Sequence, residues 1–173
     1  MDQTPDFNKV LTLRELLIDE LSDLYDAERQ LVDILPKMAE AAQNENLRLT
    51  FQEHTERTKI HLARLEHAFI LLDAPSSGRK SQGMEGLVSS ELVRMQENAL
   101  AAIRDAALIG GAQKMEHYGI AGYGTLRTFA ELLGNEEIAE LLQQTLMDKF
   151  RMDRSLTALA SKINVEVARL GAN

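Results

Sequence analysis

Apolar residues recur at alternating three- and four-residue steps through nearly all of this 173-residue chain, a period that one face of an α-helix supplies and a strand does not. The pattern predicts a first long helix from Thr12 to Ala42, with Leu17, Leu21, Leu24, Leu31, Leu35 and Met38 on its inner face. Pro36 lies inside it. Proline removes a backbone donor and crowds the carbonyl of Val32, so a kink is expected there rather than an end. After a turn at Gln43–Asn46, a second helix is predicted from Leu47 to Leu72, with Phe51, Thr55, Thr58, Leu62, Leu65 and Phe69 inward. The segment Asp73–Gly83 reads as a loop, followed by a short helix from Met84 to Gln96. A third long helix is expected over Ala99–Leu133, ended by Gly134-Asn135, and a fourth over Glu136–Leu170. The expected architecture is all-α: a four-helix bundle with a long crossover loop and a short extra helix between helices two and three. One domain is expected over residues 1–173, with residues 1–10 as a flexible N-terminus.

Two inward positions carry charges of opposite sign, Glu28 on the first helix and Lys149 on the fourth. Burying an unpaired charge costs several kcal/mol, so such positions mark a polar site or the remains of one. Di-metal carboxylate bundles place an inward Glu on each of two helices and Glu-x-x-His on each of the other two, which sets hard anionic oxygens and neutral imidazoles around two cations. Laid on this chain, that pattern meets Glu28, then Thr58-x-x-His61, then Gly119, then Lys149-x-x-Met152. Glu28 and His61 are ligand types, whereas Thr58, Gly119, Lys149 and Met152 are substitutions. His54 lies one turn before Thr58, and Glu116 one turn before Gly119 but toward the edge of the stripe. The candidate metal ligands are therefore Glu28, His54, His61 and Glu116, with Asp153 as a further possibility; Asp148 and Asp153 are expected to be partly turned away.

A simpler reading pairs the Lys149 ammonium with Glu28 where metals would otherwise sit, and leaves His54 and His61 as packed or surface histidines. Glu116, His117 and Tyr118 cannot all face one centre, because successive helical residues point about 100° apart. Gly111, Gly119 and Gly122 fall on or near the inward side of the third helix, where they admit close helix contact or make room for Lys149. Ile109, Ile120 and Tyr123 form a second apolar edge that widens the buried face, read as a dimer surface or a cover for the short helix.

The chain has no cysteine, which excludes disulfides, zinc-thiolate and iron–sulfur sites and thiol catalysis, and fits a cytoplasmic location. The opening residues MDQTPDFNKV lack the apolar region of a secretion signal, and no run approaches the ~18 apolar residues of a membrane span. A net charge of −8 and the absence of tryptophan argue against nucleic-acid binding, and Arg79-Lys80 reads as part of a solvated loop. No cofactor is the simplest expectation, with iron or manganese if the inward site is occupied.

The segment RDAALIGGAQKMEHYGIAGYGTLRTFAELLG, Arg104–Gly134, resembles the central signature of the YciF-like stress proteins, a branch of the ferritin-like superfamily. LSDLYDAERQL (Leu21–Leu31), LPKMAEAA (Leu35–Ala42), HTERTKIHLARLE (His54–Glu66) and MEGL (Met84–Leu87) are similar to the same family in the same order. The resemblance implies a ferritin-like bundle, a homodimer, and a role in general or osmotic stress in bacteria. It implies no particular reaction, so catalytic residues are left unassigned. Glu28, His54 and Glu116 match the family pattern, whereas members usually carry glutamate where this chain has Gly119 and Lys149. Two functions follow as expectations. One is a metal-poor helical dimer that acts by binding or scaffolding. The other is a carboxylate-bridged iron or manganese oxidase or peroxide scavenger using the candidate ligands. Iron storage is not supported.

Overall fold

The computed structural model describes residues 11–76, 79–97 and 99–170; the expected flexible residues 1–10 lie outside that range. The described residues form five helices and no strand: α1 (Leu13–Ala41), α2 (Glu45–Leu71), α3 (Gln82–Gln96), α4 (Ala101–Leu132) and α5 (Glu136–Leu170). The four long helices make a ferritin-like bundle, and α3 is the short helix on the crossover.

Local chemistry sets the helix ends. The Thr12 hydroxyl accepts from the Glu15 amide and the Glu15 carboxylate accepts from the Thr12 amide, so α1 starts with a capping box. Asn44 caps α2 by accepting from the Leu47 amide at 3.1 Å, which starts that helix at Glu45, two residues before the expected Leu47. Asp105 of α4 accepts from the Gln43 and Asn44 amides at 2.8 and 2.7 Å and so ties the α1–α2 turn to α4. Gly134 takes φ +72°, the left-handed conformation that closes the end of α4 and turns the chain into α5. α1 runs as one helix through Pro36.

Sequence neighbours pack as two hairpins, α1 with α2 and α4 with α5; α2 then meets α5 and α1 meets α4, while α3 lies against α4 and α1. The apolar interior is divided. One cluster gathers Leu31, Leu35, Met38, Phe51, Met115 and Leu156 toward one end of the bundle. A second gathers Leu17, Leu21, Leu65, Phe69, Leu126 and Leu142 toward the other. Residues 54–61 of α2, 116–119 of α4 and 145–149 of α5, with Glu28 of α1, fall between the two clusters. Glu28, His54, Thr58, His61, Glu116, Thr145, Asp148 and Lys149 are all buried there, so a polar belt crosses the bundle midway along its length.

The crossover is anchored where it enters α3. The Ser81 amide donates to Asp26 at 2.8 Å, its hydroxyl donates to Asp23 at 3.0 Å, and Gln30 donates to the Ser81 carbonyl at 3.1 Å. The Tyr118 hydroxyl of α4 also donates to Asp23. Arg79 and Lys80, read as a solvated loop pair, are exposed and face Asp19 and Glu85.

Candidate functional site

Lys149 is fully buried at the centre of the belt. Its Nζ lies 2.9 Å from Glu28 Oε1 and 3.5 Å from Glu116 Oε1, so one ammonium faces two carboxylates from two other helices. Gly119 makes the room. A Cβ at that position would stand 2.9 Å from Lys149 Cε and 3.0 Å from Cδ, closer than side chains tolerate. The glycine is therefore the space through which the lysine stem passes.

The histidines extend the belt on either side. His54 Nε2 lies 3.0 Å from Glu116 Oε1, and His61 stands between two carboxylates, with Nδ1 3.5 Å from Glu28 Oε2 and Nε2 3.6 Å from Asp148 Oδ2. These approaches are close but not aligned: neither ring of His54 or His61 makes a hydrogen bond, nor do Glu28 Oε2 and Glu116 Oε2. Tyr123 donates to Glu28 Oε1 at 3.1 Å, and Arg64 holds Asp148 at 2.8 Å at the margin between α2 and α5. The Thr58 hydroxyl is spent within its own helix, donating to the His54 carbonyl at 2.9 Å.

Electrostatics follows from this packing. Burial alone would push the Glu28 and Glu116 carboxyls up, but the Lys149 ammonium, with His61 beside Glu28 and His54 beside Glu116, holds both below the usual carboxylate range. Burial would likewise lower Lys149, and the two carboxylates reverse that and raise it. His61 is lowered, chiefly by burial, only partly opposed by Glu28, which favours a neutral ring. Burial and the Glu28 charge push the Tyr123 phenol well up, so it stays a hydrogen-bond donor.

Several sequence expectations need correction. Glu116, expected toward the edge of its stripe, is fully buried at the centre. Asp148, expected to turn partly away, is buried and touches His61 and Arg64. Asp153 does not reach the belt: it faces His117 at 3.2 Å and Gln113 at 3.1 Å on the outer side of α4. Tyr123 is neither a dimer surface nor a cover for the short helix; it is fully buried with its hydroxyl on Glu28. His61 takes the inward position that the stripe assigned to Leu62, which is only half-buried. Met152 is half-buried against the apolar cluster beyond the belt. Glu116, His117 and Tyr118 diverge as their helical spacing requires, to the belt, to Asp153 and to Asp23 respectively.

A pair of hard divalent cations needs anionic oxygens converging on space the cations can fill. Here that space holds an ammonium, Gly119 offers no donor, and Thr58 is turned to its own backbone. Among the described residues, no group of three or more His, Asp or Glu is disposed to hold a metal ion. As arranged, the residues do not fit a di-metal centre. What they do fit is a buried ion-pair network in which one ammonium stands between two carboxylates out of water.

A family described as Domain of unknown function (DUF892) matches residues 12–168. Protein YciF of Escherichia coli (strain K12) is 40% identical over 153 residues, 86% of this chain and 90% of that protein. The crystal structure of the E. coli stress protein YciF is similar with a TM-score of 0.86 at 39% identity, covering 89% of this chain and 98% of that one. YcfI from Rhodopseudomonas palustris is similar with a TM-score of 0.84 at 34% identity, covering 87% and 96%. A protein from Xanthomonas campestris, 23% identical with a TM-score of 0.76 over 94% of this chain and all of that one, shares the fold.

Proposed function

The chain belongs to the DUF892 family with YciF among its relatives, and on that premise we propose that it is a cytoplasmic, homodimeric stress-response protein that acts by binding or scaffolding. In this reading the inward site of the ferritin-like bundle is a structural ion-pair network and performs no turnover. The observation that carries it is Lys149 Nζ at 2.9 Å from Glu28 and 3.5 Å from Glu116, an ammonium standing where a metal pair would need carboxylate-lined space. The stress role rests on the name of the E. coli relative. A bundle stiffened across its middle and free of redox chemistry suits a protein whose output is a surface.

A second reading keeps the site chemical: an iron or manganese oxidase or peroxide scavenger using Glu28, His54, His61 and Glu116. It is favoured by one observation, the buried imidazole nitrogens of His54 and His61 and the buried Glu28 Oε2 and Glu116 Oε2, none of which has a hydrogen-bond partner.

Elemental analysis separates the two. Protein expressed in iron- and manganese-supplemented medium and then dialysed should retain neither metal, whereas a Lys149→Glu, Gly119→Glu variant should load. Near-stoichiometric metal in the wild type would overturn the binding reading and favour the second. A monomer by light scattering at micromolar concentration would remove the homodimer from the proposal.

A further inference from the structure

Two carboxylates are buried outside the belt, Asp105, which accepts from two backbone amides, and Glu91. Glu91, on the short helix α3, is 2% exposed, and its carboxyl enters a notch in α4 at Gly111. A Cβ on Gly111 would lie 1.9 Å from Glu91 Oε2 and 2.3 Å from Cδ, so the carboxyl occupies the volume any other residue would fill. Glu91 Oε1 has no hydrogen-bond partner. The charges that reach it are Arg94 on α3, Lys114 on α4 and Glu97 just past α3, and none of them closes to an ion pair with it. A carboxylate buried without a partner is costly; a neutral carboxylic acid in the same place costs much less.

The two ends of α3 are held differently. Its N-terminal entry is fixed to α1 through Ser81, Asp23 and Asp26. Beyond Glu91 the helix is held by packing, through the half-buried Leu92 and Met95 against the apolar cluster that contains Ile109, and by one long hydrogen bond, from Arg104 of α4 to the Glu97 carbonyl at 3.3 Å. We propose that the C-terminal half of α3 is a pH-released strap, seated on α4 while Glu91 is protonated in the Gly111 notch and lifted, pivoting at Ser81, when Glu91 ionises. Lifting would uncover apolar surface of α4 and of the strap itself.

The direction follows from proton linkage. Burial raises the Glu91 carboxyl from 4.5 to about 7, with Arg94 and Lys114 opposing only in part. A raised carboxyl favours the seated form below its unseated value and loses that preference as the pH climbs to the seated one. Seating therefore weakens by up to about tenfold per pH unit across this interval, about 15-fold between pH 5.5 and 7, and levels off above it.

The chain has no cysteine, so a spin-label pair at Val93→Cys and Lys37→Cys, both exposed, reads the distance from α3 to α1 without interference. One narrow distance is expected at pH 5.5, joined by a longer, broader population at pH 8.5. Glu91→Gln in the same background should stay narrow at both. Gly111→Ala, which fills the notch, should show the longer population at both. A wild type that remains narrow at pH 8.5, a Glu91→Gln variant that responds to pH as the wild type does, or a Gly111→Ala variant that stays narrow would each overturn the strap.

Discussion

Two glycines of α4 admit a charged side chain from a neighbouring helix, and the outcomes differ. At Gly119 the guest is Lys149, and carboxylates from α1 and α4 meet its charge. At Gly111 the guest is Glu91, and its buried Oε1 is left without a hydrogen-bond partner. Both sites have the same steric basis, a missing Cβ. The contrast lies in counter-charge: a buried ion with partners stays ionised and fixes its helix, whereas a buried ion without them gains by taking up a proton or by leaving. Position reinforces the difference. Lys149 sits between two apolar clusters with bundle on every side, and Glu91 sits on a short helix whose polar anchors gather at its N-terminal end, with a single long hydrogen bond at the other.

The contrast can be broken most directly at Lys149. Lys149→Met strands two buried carboxylates and should cost about 3–5 kcal/mol in urea unfolding, whereas a loss below about 1 kcal/mol would mean the ammonium does not hold the belt together. Acid comes next. Glu28 and Glu116 are depressed below 4.5 in the fold, so the stability they contribute is present above pH 4.5 and drains as the pH falls below it, for Glu28 down to about 2. Lys149 is raised above 10.5, so its contribution fades only in strong base. Thermal melts at pH 5 and pH 3 should therefore differ, and the difference should shrink in a Glu28→Gln, Glu116→Gln, Lys149→Met variant. Gly119→Ala should cost about 1–3 kcal/mol, because the Lys149 stem must move inside a packed core; a neutral result would show that the stem has slack. Smallest is Glu91→Gln, which removes a charge from a helix able to move aside. At pH 8 it should raise the melting temperature by about 2 °C or less, and a fall would mean the carboxylate is stabilised in its notch.

Periodicity made the long helices legible, and it placed Glu28, Thr58, Gly119 and Lys149 inward because these lie on the axis of their stripes. It did less well off-axis. A buried face in a four-helix bundle is wider than one line of residues, so Glu116, Asp148 and Tyr123 fall within it although each sits to one side of its stripe. Charged side chains in that flank read as surface until the partner across the interface is known, and that partner lies on another helix. Leu62 and His61 show the same limit, since adjacent positions exchange roles with a modest rotation of the helix. Glu91 carried no signal. In SSELVRMQ it looks like a solvated residue, and only Gly111 on another helix, opposite it in space, shows otherwise.

The burial of Lys149 has a practical consequence for following this protein in solution. Among the described residues it is the one lysine without solvent access; Lys37, Lys59, Lys80, Lys114 and Lys162 are all exposed. An amine-modifying reagent will tag those five promptly and reach Lys149 only in molecules whose bundle has come apart. Acylation at that one position, read by peptide mass, is a built-in clock for whole-molecule opening. It runs without an added dye, tryptophan or engineered thiol, and it can be read in a crude extract as well as in purified protein.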